Sequence, residues 1–245
     1  GDRASVQVVG GLNTDQARSL AQAGLRAFVV SGNLGLPDGR SRYDLLDALS
    51  GSRHVVPYLD IPIQHSHPGV LRAMRRADTL ATLPDLAPRL RARWPGVALR
   101  TTCLVGFPGE TEAHFEHLVG YVEAARFDHL GVFTYSAEEG TAAAALPNPV
   151  PAAVAAARRD RLLAVQQRIA AAANRARIGT AARVLLQGPA PTGRNRWIAR
   201  APWQAPDVDG VTRVSGLPAA ARAGDFATVR ITAARGFDLG AVEEG

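Results

Sequence analysis

The sequence predicts an α/β fold: parallel strands covered by helices, in an open sheet or a partial (β/α) barrel, followed by a small all-β barrel. Three observations predict it. Strand-like and helix-like segments alternate through the first two-thirds of the chain. The segment LPNPVP, residues 146–151, ends that alternation with three prolines. Beyond Thr180 the texture changes to short β-like runs split by Gly and Pro. The expected division is residues 1–178 and 179–245.

The elements follow in order. Residues 14–24 read as a short helix, with Thr14 as N-cap and Gly24 as its stop. Residues 25–31 (LRAFVVS) read as a buried strand and 43–49 as a second short helix. Residues 55–63 (VVPYLDIPI) read as a strand whose ladder Pro57 and Pro62 limit. A helix starts within 67–76, and another covers 85–93. The strongest strand is 98–107 (ALRTTCLVGF). Residues 111–126 form an amphipathic helix, with Phe115, Leu118, Val119 and Val122 at i, i+3, i+4, i+7. Residues 129–135 (HLGVFTY) are again strand-like. A long helix then runs from Pro151 to about Ile178 and stops at Gly179, with Val154, Leu162, Val165 and Ile169 on one face. The last β runs are 182–187, 197–200, 211–214 and 226–231.

Composition bounds the function. The chain has 245 residues, 47% of them apolar, which is enough for a substantial core. All 28 basic residues are arginine, against 22 acids, and 45 residues are alanine. A GC-rich genome accounts for that bias, yet the resulting cationic surface still attracts RNA or ribosomal surfaces. Residues 151–245 hold 14 arginines against 7 acids, so the excess lies there. The single cysteine, Cys103, excludes an intrachain disulfide framework, a four-cysteine zinc site and a self-contained cluster with three or four cysteine ligands. No apolar run approaches the ~18 residues of a membrane span, and the first residues, GDRAS, lack a secretory stretch. A cytoplasmic protein is expected. The missing initiator Met points to a processed chain or a piece of a longer product.

Three blocks carry chemistry. In RTTCLVGFPGETEAHF, from Arg100, a strand ends at Gly106 and a helix begins at Thr111. The glycines let backbone approach a ligand, and N–H groups at the helix start favour anionic atoms. A P-loop is excluded, because GK[ST] is absent. In YLDIPIQHSHPGVLRAMRR, from Tyr58, a strand ends in Gln64, His65, Ser66 and His67. Carboxyl ends of parallel strands line sites in α/β folds. The HxH pair reads more readily as capping than as a metal site, since no third ligand is near. Asp60 reads either as a site-lining acid or as a buried carboxylate bonded to backbone. In FDHLGVFTYSAEEGT, from Phe127, Tyr135, Ser136, Glu138 and Glu139 follow a strand. No GxSxG elbow is present, which disfavours a serine hydrolase.

Together and in this order, these blocks resemble the ribosomal-protein branch of the radical S-adenosylmethionine methylthiotransferases. The resemblance continues through ARRDRLLAVQQRIAAAANRARIG. It reaches the tail, where APDVDG and GDFATVRITAARGFDLGAV resemble that family's TRAM domain. It covers about residues 58–242.

The resemblance implies addition of a methylthio group to the β-carbon of an aspartate in ribosomal protein S-twelve, with S-adenosylmethionine and two 4Fe-4S clusters. It implies that Gln64, His65, Gly106, Phe107, Gly109 and Glu110 face the S-adenosylmethionine pocket. Arg194, Arg196, Trp197 and Trp203 of the basic tail would contact the ribosomal substrate or RNA, with core packing the competing role for both tryptophans. The family's CxxxCxxC motif and its N-terminal cluster domain are not in this sequence, and residues 17–50 read as short of one βα unit. The expectation is therefore a chain that is catalytically silent alone. The competing reading is a non-catalytic ribosome- or RNA-binding remnant of the same family.

Overall fold

The computed structural model describes the backbone of residues 6–10 and 27–31. It also describes residues 50–244 with their side chains, apart from 52–54, 77–78, 81–82 and 193–195. The helices expected at 14–24 and 43–49 lie outside the described residues.

Five strands form one sheet: β1 (Val6–Gly10), β2 (Ala27–Ser31), β3 (Tyr58–Asp60), β4 (Ala98–Val105) and β5 (His129–Thr134). They pair in chain order, and every pair is parallel. Strand β1 is additional to the expected set. The strand expected over 55–63 contracts to β3, because two prolines without N–H interrupt its ladder. Pairing resumes only as a bridge between Gln64 and Cys103.

Along β4 buried Leu99, Thr101, Cys103 and Val105 alternate with half-open Arg100, Thr102 and Leu104. The buried set faces the helices, and the half-open set faces the uncovered side of the sheet. The helices are α1 (Pro68–Ala73), α2 (Leu86–Arg93), α3 (Glu112–Ala125) and α4 (Ala152–Ala176). The apolar stripe of α3 is buried at all four expected positions. Thr111 caps that helix by accepting from the His114 N–H, while His114 Nδ1 accepts from the Thr111 N–H.

Helix α4 departs from expectation by one residue. Val154 is 39% exposed, and Ala155 with Arg158 takes the buried face beside Leu162, Val165 and Ile169. Ala155 must face inward there because its methyl packs against Gly106. A Cβ on Gly106 would sit 2.5 Å from the Ala155 Cβ.

The second unit is a closed barrel of β6 (Ala181–Pro189), β7 (Arg196–Arg200), β8 (Thr212–Ser215), β9 (Phe226–Arg235) and β10 (Asp238–Glu243). Closure removes the exposed edges a small sheet would otherwise present. Its core is aliphatic: Val184, Leu186, Val214, Val229, Ile231 and Leu239 point inward between alanines. Each such side chain contributes about 1.5–3 kcal/mol of burial. The tenth strand is also additional to expectation. It pairs parallel with β8 and antiparallel with β9, and it completes the closure.

One carboxylate joins the two units. Asp209 accepts from the Tyr58 hydroxyl at 2.6 Å, Arg100 Nη1 at 2.8 Å and the Ala205 N–H at 2.8 Å. His129 Nδ1 lies 3.2 Å away, and its Nε2 is 2.6 Å from the Trp203 carbonyl oxygen. The Asp209 side chain is 1% exposed, so these partners replace the water it has lost. Gly210 follows because its Cα lies against the Phe237 carbonyl, where a Cβ would stand 2.1 Å from oxygen.

Candidate functional site

The carboxyl ends of β3 and β4, the turn after β4 and the loop after β5 converge on one side of the sheet. Gln64 holds a left-handed backbone, φ 65, which is uncommon for a residue with a side chain. Its N–H donates to the Thr102 carbonyl at 2.8 Å, and its own carbonyl accepts from the Leu104 N–H at 2.7 Å. Strand β4 thus fixes Gln64 through both backbone groups.

Beside it lies a cavity of about 440 Å³, a size typical of small-molecule sites. Gln64, Met74, Arg75, Arg76, Leu104, Phe107 and Leu146 line it, with three alanines. A second cavity of about 280 Å³ is lined by Gly106, Thr134, Tyr135 and the first turn of α4. Phe107 of the first and Tyr135 of the second meet edge to face at 5.3 Å.

The turn between β4 and α3 closes on itself. Gly106 adopts φ 79 and Gly109 φ 81. The Glu110 carboxylate folds back under the turn and accepts from the N–H groups of Gly106 at 2.7 Å and Phe107 at 3.2 Å. Arg158 Nη1 donates to its other oxygen at 3.0 Å, and Arg158 Nη2 donates to Glu112 at 3.0 Å. Burial raises the affinity of Glu110 for its proton, while Arg158 and the two N–H groups oppose that. The Gly106 and Phe107 N–H groups of the turn are therefore taken by the protein's own carboxylate, and at the helix start the Thr111 and His114 N–H groups are taken by the capping pair.

His65 is fully buried and does not line the first cavity. Its Nδ1 accepts from the His67 N–H at 2.9 Å, and its Nε2 has no partner. Burial lowers its pKa to about 3, helped by His67, His114 and His117. His67 caps α1 by accepting from the Gly69 N–H, and its ring stacks on His114 at 4.0 Å. No group of three or more His, Cys, Asp or Glu among the described residues is arranged to hold a metal ion.

The six residues assigned to one pocket thus separate. Gln64 and Phe107 line the larger cavity and Gly106 the smaller one. Gly109 is exposed in the turn. His65 and Glu110 are buried supports. Sequence reading missed Arg158, because it assigned only apolar residues to the inward face of α4. It quoted Arg76 within its motif but gave it no role. Asp60 faces the barrel side, 3.7 Å from Arg100, and burial raises its pKa.

In the tail, Arg194 lies outside the described residues. Arg196 is exposed and lines a cleft of about 280 Å³ with Arg213, Arg235 and Asp238. Trp197 packs half-buried on the barrel core. Trp203 sits at the junction of the two units, packed against the Tyr58 cluster with the Arg177 guanidinium 4.5 Å above its ring.

Known proteins resemble the chain in both units. The TRAM domain family matches residues 178–242. A ribosomal protein uS12 methylthiotransferase RimO from Thermosynechococcus vestitus is 48% identical over 197 residues, 80% of this chain and 43% of that protein. The protein of the same name from Anaeromyxobacter sp. (strain K) is 48% identical over 195 residues, 80% of this chain and 41% of its own. That from Synechococcus sp. (strain RCC307) is 49% identical over 198 residues, 80% and 40%. The chain spans about two-fifths of the length of these relatives. Four-fifths of the chain aligns at nearly half identity with part of these proteins, and its end matches a TRAM domain, so the two units together are similar to a RimO fragment.

Proposed function

We propose that this chain carries the cofactor- and substrate-facing part of a methylthiotransferase acting on an aspartate of ribosomal protein uS12. The observation that supports this most directly is the cavity of about 440 Å³ built by Gln64 and Phe107. It lies at the carboxyl ends of parallel strands, where α/β folds bind small molecules. Its apolar walls and few polar groups suit S-adenosylmethionine, which in this family supplies the adenosyl and methyl chemistry. In this reading Gln64 orients the ligand's polar atoms, and Phe107 and Leu104 exclude water from its apolar part. The internally bonded turn 106–110 keeps Phe107 in place.

The residues present do not fit a 4Fe-4S cluster. Cys103 is the chain's one cysteine. It is wholly buried in β4, and burial pushes its thiol well above the usual range. Three thiolates are needed, so no step through a cluster is assigned to this chain. The exposed arginines at 196, 213 and 235 would meet the ribosomal partner or its RNA. A ribosomal partner places the protein in the cytoplasm, and no helix among the described residues is long and apolar enough to cross a membrane.

Calorimetric titration of the full chain with S-adenosylhomocysteine, before and after anaerobic iron–sulfide treatment, tests the reading. Binding is expected in both cases, with no 4Fe-4S absorption band and no methionine release from S-adenosylmethionine. Absence of binding overturns the cofactor assignment. A cluster band with methionine release overturns the assigned silence of the isolated chain.

A further inference from the structure

We infer that Arg76 is the carboxylate-recognising residue of the larger cavity, and that the ligand bound there carries its carboxylate against this guanidinium. Three observations carry the inference. Arg76 lines the cavity beside Gln64 and Arg75, and no acidic residue among the described ones shares the lining. Its Nη2 donates to the Pro62 carbonyl at 2.9 Å, which fixes the guanidinium at the end of β3. Its Nε is buried without an acceptor.

A buried charged donor left unpaired is costly. Other half- or fully buried guanidinium groups of this protein have found carboxylates: Arg100 has Asp209, and Arg158 has Glu110. No carboxylate among the described residues pairs with Arg76. A ligand can bring the counter-charge that the described residues do not supply. The surrounding Leu104, Phe107, Met74 and Leu146 lower the local polarity and strengthen such a contact. Arg75, exposed at φ 57 on the rim, adds positive charge at the mouth.

The inference rests on the proposed reading of the cavity and names the chemistry it recognises. A carboxylate reaches this site from either of two sources: the amino-acid end of an S-adenosyl cofactor, or the aspartate side chain of a substrate segment.

The test is calorimetric titration of the full chain and its Arg76→Gln variant. Four probes are used: S-adenosylhomocysteine, its decarboxylated analogue, an aspartate-containing peptide and the same peptide with asparagine. One carboxylate probe is expected to bind Arg76→Gln roughly tenfold to a hundredfold more weakly. Its carboxylate-free twin should be indifferent to the change. Sensitivity of S-adenosylhomocysteine identifies the cofactor as the source, and sensitivity of the aspartyl peptide identifies the substrate. Arg76→Lys, which keeps the charge, should recover part of the loss. Arg72→Gln, exposed on α1 just ahead of Arg76, should change nothing. If every carboxylate probe that binds does so equally to wild type and Arg76→Gln, the inference is overturned while the cavity's ligand class stays intact. Failure of every probe to bind overturns both.

Discussion

The turn 106–110 and the cavity wall at Arg76 sit on the same side of the sheet and treat their polar groups in opposite ways. In the turn, a buried carboxylate, two backbone N–H groups and a buried guanidinium satisfy one another. At the wall, the Arg76 guanidinium has one carbonyl partner and no carboxylate partner among the described residues. Both arginines bury an Nε without an acceptor, but the charge of Arg158 is paired within the protein, whereas no described residue pairs that of Arg76. A motif rich in glycine and acid is therefore a support here, while a plain arginine after a helix is the group with capacity left over.

The sharpest way to break the comparison is to open the turn. Arg158→Met leaves Glu110 buried without its cation and should cost about 3–5 kcal/mol in urea unfolding. The double variant Glu110→Gln, Arg158→Met should recover part of that loss. A cost near zero for the single change would show that the turn is not held by internal satisfaction.

The next effect in size is steric. Gly106→Ala forces a methyl into Ala155 and a side chain into a left-handed backbone, at about 1–3 kcal/mol. Pairing it with Ala155→Gly removes the clash and isolates the backbone part.

A third prediction concerns pH. His65 is buried neutral, with its pKa near 3 in the fold against about 6.5 unfolded. Its stabilisation is therefore fully present above pH ~6.5 and is lost as pH falls toward 3, because the unfolded chain binds the proton more readily. His65→Asn keeps an acceptor for the His67 N–H but does not titrate. The stability difference between the two proteins should shift across that window and be flat above it.

The smallest effect is a silence. Cys103 should resist a thiol-reactive disulfide reagent in the folded protein and react at once in urea. Labelling of the native chain would contradict its burial.

Much of the architecture was legible because hydrophobic period is a local signal. Phe115, Leu118, Val119 and Val122 announced α3, and the proline run before residue 152 announced the boundary with α4. The tail was legible as a barrel from its short β-like runs split by Gly and Pro. Less was legible where long-range contacts decide. Val154 and Ala155 are equally apolar by composition, and only the approach of Gly106 chooses between them. The partners of Asp209 lie 109 and 151 residues away at Arg100 and Tyr58, so no spacing rule links them. For the site, the sequence put six residues on one pocket, and the structure divides them among two cavities, an exposed turn and buried supports. Gln64 and Phe107 reach the larger cavity, whereas His65 and Glu110 turn inward, and a strand end does not reveal which way each side chain turns.

Helix α4 has a mechanical consequence. Its 25 residues form one uninterrupted rod, about 37 Å long at 1.5 Å per residue. At its first turn Ala155 abuts Gly106, and near its last turn Asn174 donates to the Gly236 carbonyl in the β9–β10 hairpin. Two distant places therefore share one rigid spacer. The distance between the larger cavity and the arginine-bearing barrel is therefore set by one continuous helix, a ruler rather than a tether.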